Sequence, residues 1–412
     1  MISKIIFKNH PILGNLSLDF LNANGKPYKN VLLIGENGCG KTTILKQISN
    51  YFAGGNTKNS EMVCIKGNGE PMDTLPLLTG FCYSGVLTKY SNEKEFVNPK
   101  EKNESDIDAK TYEQDVSEKE VKDLFLNVVR KDNDDLAKLA YEHSGLSPEQ
   151  YSIFEQQNRL HRFKSAFNNF FERLKFDNAD YDAGKIFFQK NGKRFEMVNL
   201  SSGEKQIVVR GASVLKNLKN MHDGVVLIDE PENGMHPRWA KKIMKFYEDL
   251  ITTKDDQFAQ LIFATHSELI LETALADKEN TLVILLKEKN GDIESKRVNG
   301  PFILPTLTSA EINYEAFHIV SNDYHNQLYG YFQNLTKTNK VQQTDEKIFE
   351  SPLFSEECVK DSRYQTRDYK TLPTYIRNAI DHPDNGNIFT ESELEKSIEL
   401  LRKICLLHPK LI

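Results

Sequence analysis

Four short apolar runs dominate the first three hundred residues: 31–34, 225–228, 261–264 and 281–286. Runs of this length without polar alternation read as central, buried strands. Segments 5–7 and 16–20 read as a short hairpin, and 61–65 and 77–83 as further strands. Segments 185–188 and 194–198 flank a turn at Lys190–Gly192 and read as a second hairpin. Residues 44–51 carry a helical pattern directly after a glycine-rich loop. From about 89 to 180 the pattern turns helical and charge-rich, as in VKDLFLNVVRKDNDDLAKLA and FKSAFNNFFERLKF. It predicts an insertion of two to four helices, without the sustained heptads of a long coiled-coil arm. Near Pro301–Pro305 the strand–helix alternation ends. Residues 310–336 then predict one long aromatic-rich helix, 337–361 a polar connecting stretch, and 373–381 and 391–407 two closing helices. There is no internal repeat. The expected organisation is an α/β domain over 1–305, carrying the insertion, and an all-α domain over 306–412.

Composition narrows the class. The 412 residues are 39% hydrophobic and 27% charged, with a formal net charge of -6, so the chain is not a polycation drawn to nucleic acid as a whole. The five cysteines are Cys39, Cys64, Cys82, Cys358 and Cys405, none at metal-ligand spacing. The N-terminus MISKIIFKNHPILG lacks a signal-peptide apolar region, and no stretch approaches the roughly 18 apolar residues of a membrane span. A reduced, cytoplasmic protein without membrane contact is expected.

The chemistry lies in ordered motifs. The first is GENGCGKTT, comprising Gly35, Glu36, Asn37, Gly38, Cys39, Gly40, Lys41, Thr42 and Thr43. It sits between a predicted strand and helix. The glycines leave room for backbone to wrap a triphosphate, with loop N–H groups and the helix start binding the anion. Lys41 is expected on the β- and γ-phosphates of ATP and Thr42 on Mg²⁺. Cys39 reads as a small filler rather than a redox switch. In VVLIDEPE, a buried strand delivers Asp229, expected to hold the magnesium through water, and Glu230, expected to act as general base on the attacking water.

LSSGEKQ, residues 200–206, resembles the signature motif of ABC-type ATPases. That resemblance places Ser202, Gly203 and Glu204, with the following helix start, at the γ-phosphate held by a second subunit. ATHS, residues 264–267, resembles the switch segment, which puts His266 on the γ-phosphate. ENGMHP, residues 232–237, resembles the D-loop, where His236 either touches the dimer partner or stabilises the turn. The set resembles soluble ABC ATPases of the chromosome-maintenance and overcoming-lysogenization-defect clade. It is closer to compact bacterial ATPases of phage-defence modules such as Septu, PARIS and retron systems. The resemblance implies a homodimer, or a higher homo-oligomer, formed through the ATP sites. One departure is the lack of any glutamine over 48–113, where the Q-loop of such ATPases is expected. For the adenine contact the candidates are Lys8, Asn9 and Phe20.

Near the C-terminus, LPTYIRNAIDHPDN (372–385) places Arg377-Asn378 four residues before His382. This resembles the RNxxxH form of HEPN ribonucleases, and the resemblance implies that Arg377 and His382 act on RNA at the 2′-hydroxyl and scissile phosphate. Lys360, Arg363, Arg367, Lys370 and Arg377 interleave with Tyr364, Tyr369 and Tyr375, which suits single-stranded RNA or else marks a solvated linker. Two functions are therefore expected in outline. One is an ATP-gated effector that cleaves RNA such as tRNA. The other is an ATPase sensor whose C-terminal domain docks a separately encoded nuclease or toxin. A DNA-repair ATPase is a third alternative.

Overall fold

The computed structural model describes residues 1–52, 62–65, 69–71, 81–84, 118–180, 183–216, 224–253, 256–298, 300–364 and 367–407. The chain divides into two compact units, Met1–Arg297 and Val298–Ile412.

The first unit is built on a six-stranded sheet. Its order is Asp292–Arg297, Thr281–Lys289, Asn30–Ile34, Ala259–Thr265, Gly224–Asp229 and Phe81–Ser84. The first pair is antiparallel and every other neighbour is parallel. Strands Asn30–Ile34, Gly224–Asp229 and Ala259–Thr265 are buried at every residue. This is why they read as continuous apolar runs: a parallel sheet is covered on both faces. Helix Lys41–Phe52 covers it, with Ile44, Leu45 and Ile48 in one core with Val31, Leu33, Leu227 and Ile262. A three-stranded antiparallel sheet, Ser17–Asp19, Lys4–Phe7 and Met62–Ile65, joins the same core through Ile5, Phe7 and Cys64. The fold is that of an α/β P-loop ATPase.

Residues 85–117, which include the start of the expected insertion, lie outside the described part. Helices Glu118–Glu142, Pro148–Gln157 and Arg159–Phe170 follow. The last stretch departs from expectation: Leu174–Asp180 is a strand, paired with Lys185–Lys190, which pairs in turn with Lys193–Glu196. Its buried residues, Leu174, Phe176 and, past a bulge, Ala179, follow strand rather than helical spacing. Aromatic rings cement this region. Phe163 meets Phe125 at 4.7 Å and Phe176 at 5.4 Å between centroids, and Phe170 meets Phe246 at 5.4 Å.

The second unit holds helices Ser309–Phe317, Asn322–Thr336, Val341–Phe349, Leu372–Asp381 and Glu391–Leu407. The long helix expected over 310–336 is broken. His318 closes the first piece in the left-handed conformation (φ 52°), and Ser321 caps the second through the Tyr324 N–H. The break lets Tyr314 pack on Tyr324, with ring centroids 5.2 Å apart. Tyr314, Tyr324, Tyr329 and Phe332 all lie in the core of this unit. The all-helical expectation is also amended by a hairpin, Val359–Tyr364 with Arg367–Thr371. Buried Asp345 anchors it, accepting from the N–H groups of Lys370 (2.8 Å) and Thr371 (3.1 Å). Glu311, wholly enclosed, ties the entry to the unit by accepting from the N–H groups of Phe302, Ile303 and Leu304.

Gly211 tests how tightly the insertion seats. A Cβ there would lie 2.7 Å from Cε2 of Phe163 and 3.1 Å from Cζ of Phe246. Alanine gains up to about 1 kcal/mol over glycine in a helix. Overpacking a closed core costs roughly 1–3 kcal/mol, and enclosed Phe163 has nowhere to go. We expect Gly211→Ala to lose about 1 kcal/mol net in urea unfolding. Equal or greater stability of the variant would show that this contact is loose.

Candidate active site

The sheet register assembles the site. Ile34 pairs with Thr265, and Ala264 with Asp229, so three parallel strands end level and release Gly35, His266 and Glu230 at one edge. Ligand sites of open α/β sheets form at such carboxyl ends.

The phosphate loop is shaped by exclusion. Gly35 has φ +151°, and a Cβ there would fall 2.3 Å from the Leu286 carbonyl oxygen; one on Gly40 would fall 2.6 Å from Leu13 Cδ2. Glu36, Asn37 and Gly38 form an exposed crest, while Cys39, Gly40 and Lys41 are buried beneath it. Lys41 folds back and donates from Nζ to the carbonyls of Gly35 (2.7 Å) and Glu36 (2.9 Å). Those carbonyls satisfy the buried ammonium, as an enclosed charge requires. Cys39 fills the floor, where burial pushes its thiol up against the opposing pull of Lys41. Thr42 Oγ1 donates to Asp229 Oδ1 at 3.3 Å, bringing the two candidate metal ligands together, and Thr43 follows in the first helical turn. Phe20 is fully enclosed and offers no face to a base, whereas Lys8 and Asn9 are exposed.

Glu230 sits just past the buried strand with φ 43°, a conformation non-glycine residues seldom adopt, and its N–H donates to Ala264 O at 2.8 Å. Such strain is a feature of functional positions. Its Oε2 lies 2.6 Å from Nδ1 of His266, whose side chain is 48% exposed. Glu232 completes the group: donor atoms of Glu230, Glu232 and His266 all lie within 4.8 Å of one another. Thr265 Oγ1 donates to Glu232 and accepts from the Ser267 N–H at 2.9 Å, which pins the turn carrying His266. Burial, together with the neighbouring Glu230 carboxylate, pushes Glu232 up to about 7, although the Thr265 hydroxyl pulls the other way. The sequence offered Glu232 only as a member of a motif; its partners come from strand pairing.

In the signature stretch Ser201 and Ser202 are exposed at the start of helix Ser202–Lys216. Glu204 turns back to accept from the Ser201 N–H (2.8 Å) and pairs with Lys190 at 3.1 Å. Burial opposes its ionisation, but the Ser201 hydrogen bonds and Lys190 outweigh it and hold the carboxyl below its usual range. Glu204 is therefore a brace for the turn. Gly203 is tightly packed, since a Cβ would meet Trp239 at 3.1 Å and the Gly234 carbonyl at 3.3 Å. Buried Arg210 donates to the Pro231 carbonyl at 2.6 Å, tying this helix to the stretch after Glu230. Trp239 and Arg210 carried no motif signal; both act through neighbours distant in sequence. His236 accepts from the Arg238 N–H at 3.2 Å and caps a short helix, the turn-stabilising role.

In the second unit Arg377 is held by Asp381 at 2.7 Å, one helical turn on. His382 is the C-cap of that helix and stacks on Tyr364, with centroids 4.6 Å apart and planes 16° from parallel.

Residues 85–272 match the family model described as "AAA domain, putative AbiEii toxin, Type IV TA system". The chain is 30% identical over 98 residues to the retron Vc95 probable ATPase of Vibrio cholerae, covering 22% of this chain and 18% of that protein. It is 27% identical over 218 residues to the retron Ec83 probable ATPase of Escherichia coli (48% and 38%). It is 21% identical over 326 residues to the Septu protein PtuA of Bacillus mycoides (72% and 42%). The chain thus spans less than half the length of each of these relatives. Among solved structures, the SMC head domain of Thermotoga maritima is similar with a TM-score of 0.38 at 15% identity, over 72% of this chain and 99% of that one. The chain is an α/β P-loop protein related to the retron probable ATPases and to the Septu protein PtuA.

Glu232 yields a signed prediction. Its carboxyl is raised from 4.5 to about 7 in the folded protein, so between these values the folded state keeps a proton that the unfolded chain releases. That contribution is complete at low pH and fades as pH rises to about 7. Glu232→Gln removes the titration, so the variant should gain stability relative to wild type on going from about pH 5 to about pH 7.5. Denaturant midpoints measured at both pH values check this; a constant offset would mean Glu232 is ionised throughout.

Proposed function

We propose that this chain is an ABC-type ATP hydrolase acting in phage defence, and that two copies close head to tail on ATP. The observation that carries the reading is the 2.6 Å pairing of Glu230 with His266 at the sheet edge that also holds Lys41, Thr42 and Asp229. Lys41 exchanges its two loop carbonyls for the β- and γ-phosphates, so its charge is already placed where the substrate's negative charge arrives. Thr42 and Asp229 offer adjacent hard oxygen donors, a set that fits Mg²⁺. When bound, the ion neutralises phosphate charge. Glu230 takes the proton of the attacking water. His266, oriented through Nδ1, turns its remaining ring edge to the γ-phosphate. The exposed Ser202 and the helix start behind it meet the γ-phosphate of the opposite subunit, because a helix start attracts anions. Similarity to retron and Septu proteins supports the defence setting.

In this proposal ATP closure gates the C-terminal unit, which cleaves RNA such as tRNA through Arg377 and His382. A second reading makes that unit a dock for a separate nuclease. The Arg377–Asp381 ion pair favours it, since the guanidinium must leave Asp381 before it can hold a phosphate.

Two experiments separate these levels. With ATP, Glu230→Gln should lose about 100-fold or more in turnover and accumulate as a dimer in size-exclusion chromatography with light scattering. Ser202→Arg should stay monomeric. Dimers of equal population in both variants would exclude closure through the signature motif. Separately, wild type should cut total tRNA in an ATP-dependent way, and His382→Ala should not while retaining ATP turnover. Cleavage by both proteins, or by neither, removes His382 from RNA chemistry.

A further inference from the structure

A cavity of about 420 Å³ lies in the first unit, away from the phosphate loop. The insertion helices form its walls, and Thr253 and Phe258 close one side. Leu139, Ile153, Phe154 and Phe258 supply apolar surface, and Arg159 and Arg162 supply charge.

The two arginines are treated differently. Arg159 donates from one nitrogen to both Asp132 (2.6 Å) and Asp135 (3.0 Å). Asp132 also accepts from the Leu160 N–H at 2.9 Å, so both of its oxygens are engaged. The Arg162 backbone N–H donates to the Asn158 carbonyl, but its side chain has no ion pair or hydrogen bond among the described residues, and its Nε is buried without a partner. Its guanidinium lies 5.2 Å from the centroid of the Phe258 ring. Burial first, and then the Arg159 charge, hold its pKa below the usual arginine value, against the pull of Asp132. A half-buried charge without a counter-ion is costly until an anion reaches it.

We propose that this cavity binds a small organic carboxylate with a flat apolar body. Arg162 receives the carboxylate, and Phe258, Ile153 and Leu139 enclose the body. A planar carboxylate matches the guanidinium fork, and a singly charged group suits a wall that also carries two aspartates. The volume is within the range of small-molecule sites. The position joins the cavity to the ATPase core. Phe258 directly precedes strand Ala259–Thr265, which leads to His266, and Phe163, next to Arg162, packs against Gly211 of the signature helix.

Isothermal titration of the full chain with benzoate, and separately with inorganic phosphate, tests this. Benzoate should bind wild type and Lys41→Ala alike. Arg162→Gln should bind at least about tenfold more weakly, and Arg162→Lys should fall between. Circular dichroism melts matching wild type confirm that the variants fold; if Arg162→Gln does not, Arg162→Lys alone must show the loss. No benzoate binding at millimolar concentration, or equal binding by wild type and the Arg162 variants, overturns the proposal. Loss of binding in Lys41→Ala overturns it too, because the anion then sits in the phosphate loop. Phosphate binding through Arg162 without benzoate binding overturns the assignment to a carboxylate.

Discussion

Three parallel strands ending at one level are the constraint on which this molecule depends. Asn30–Ile34, Ala259–Thr265 and Gly224–Asp229 are hydrogen-bonded without a register shift, so residues more than two hundred positions apart emerge side by side. A one-residue slip would reverse the facing of every side chain in the slipped strand. Continuous burial makes such a slip expensive, since Val31, Leu33, Leu227 and Ile262 fill a common core. The glycine loop, the strained Glu230 and the turn bearing His266 inherit their positions from that register.

Electrostatics at this edge are arranged around charges that cannot reach bulk water. Lys41 is satisfied by carbonyls of its own loop, and Asp229, fully buried, takes the hydroxyl of Thr42. Glu230 and Glu232 are close enough that burial and mutual repulsion favour a proton on Glu232. That leaves Glu230 facing His266 as the site's adjacent carboxylate and imidazole. Thr265 serves both sides by bonding Glu232 and holding the Ser267 N–H. The carboxyl group with the raised affinity for a proton thus sits in the framework of the turn.

The second unit manages its buried polar groups in the same manner. Glu311 gathers three backbone N–H groups, and Asp345 fastens the hairpin. His325 is wholly enclosed against the Ser397 hydroxyl at 2.9 Å, and burial pulls its pKa down to about 4, so it stays neutral near pH 7. Arg402 is shared between Glu315 and the Tyr324 hydroxyl. These contacts explain why a stretch dense in aromatic and polar residues forms a compact core. They also set Arg377 and His382 apart, since both lie nearer the surface, with Asp381 and Tyr364 as partners.

The sequence by itself determined the phosphate loop, the Asp229-Glu230 strand and most helices and strands. These depend on local chemistry: glycines where a side chain would strike backbone, apolar runs where both faces are covered, and period-two spacing in hairpins. It determined less where distant residues decide. The break at His318 depends on Tyr314 meeting Tyr324, and the strand at 174–180 depends on a partner at 185–190. Only the tertiary structure brought Glu232 to Glu230 and His266, set Trp239 against Gly203, and left the Arg162 side chain unpaired beside Phe258. Each of these is a relation between side chains on different elements. Such relations exist only once strand register and helix packing have fixed which surfaces face one another.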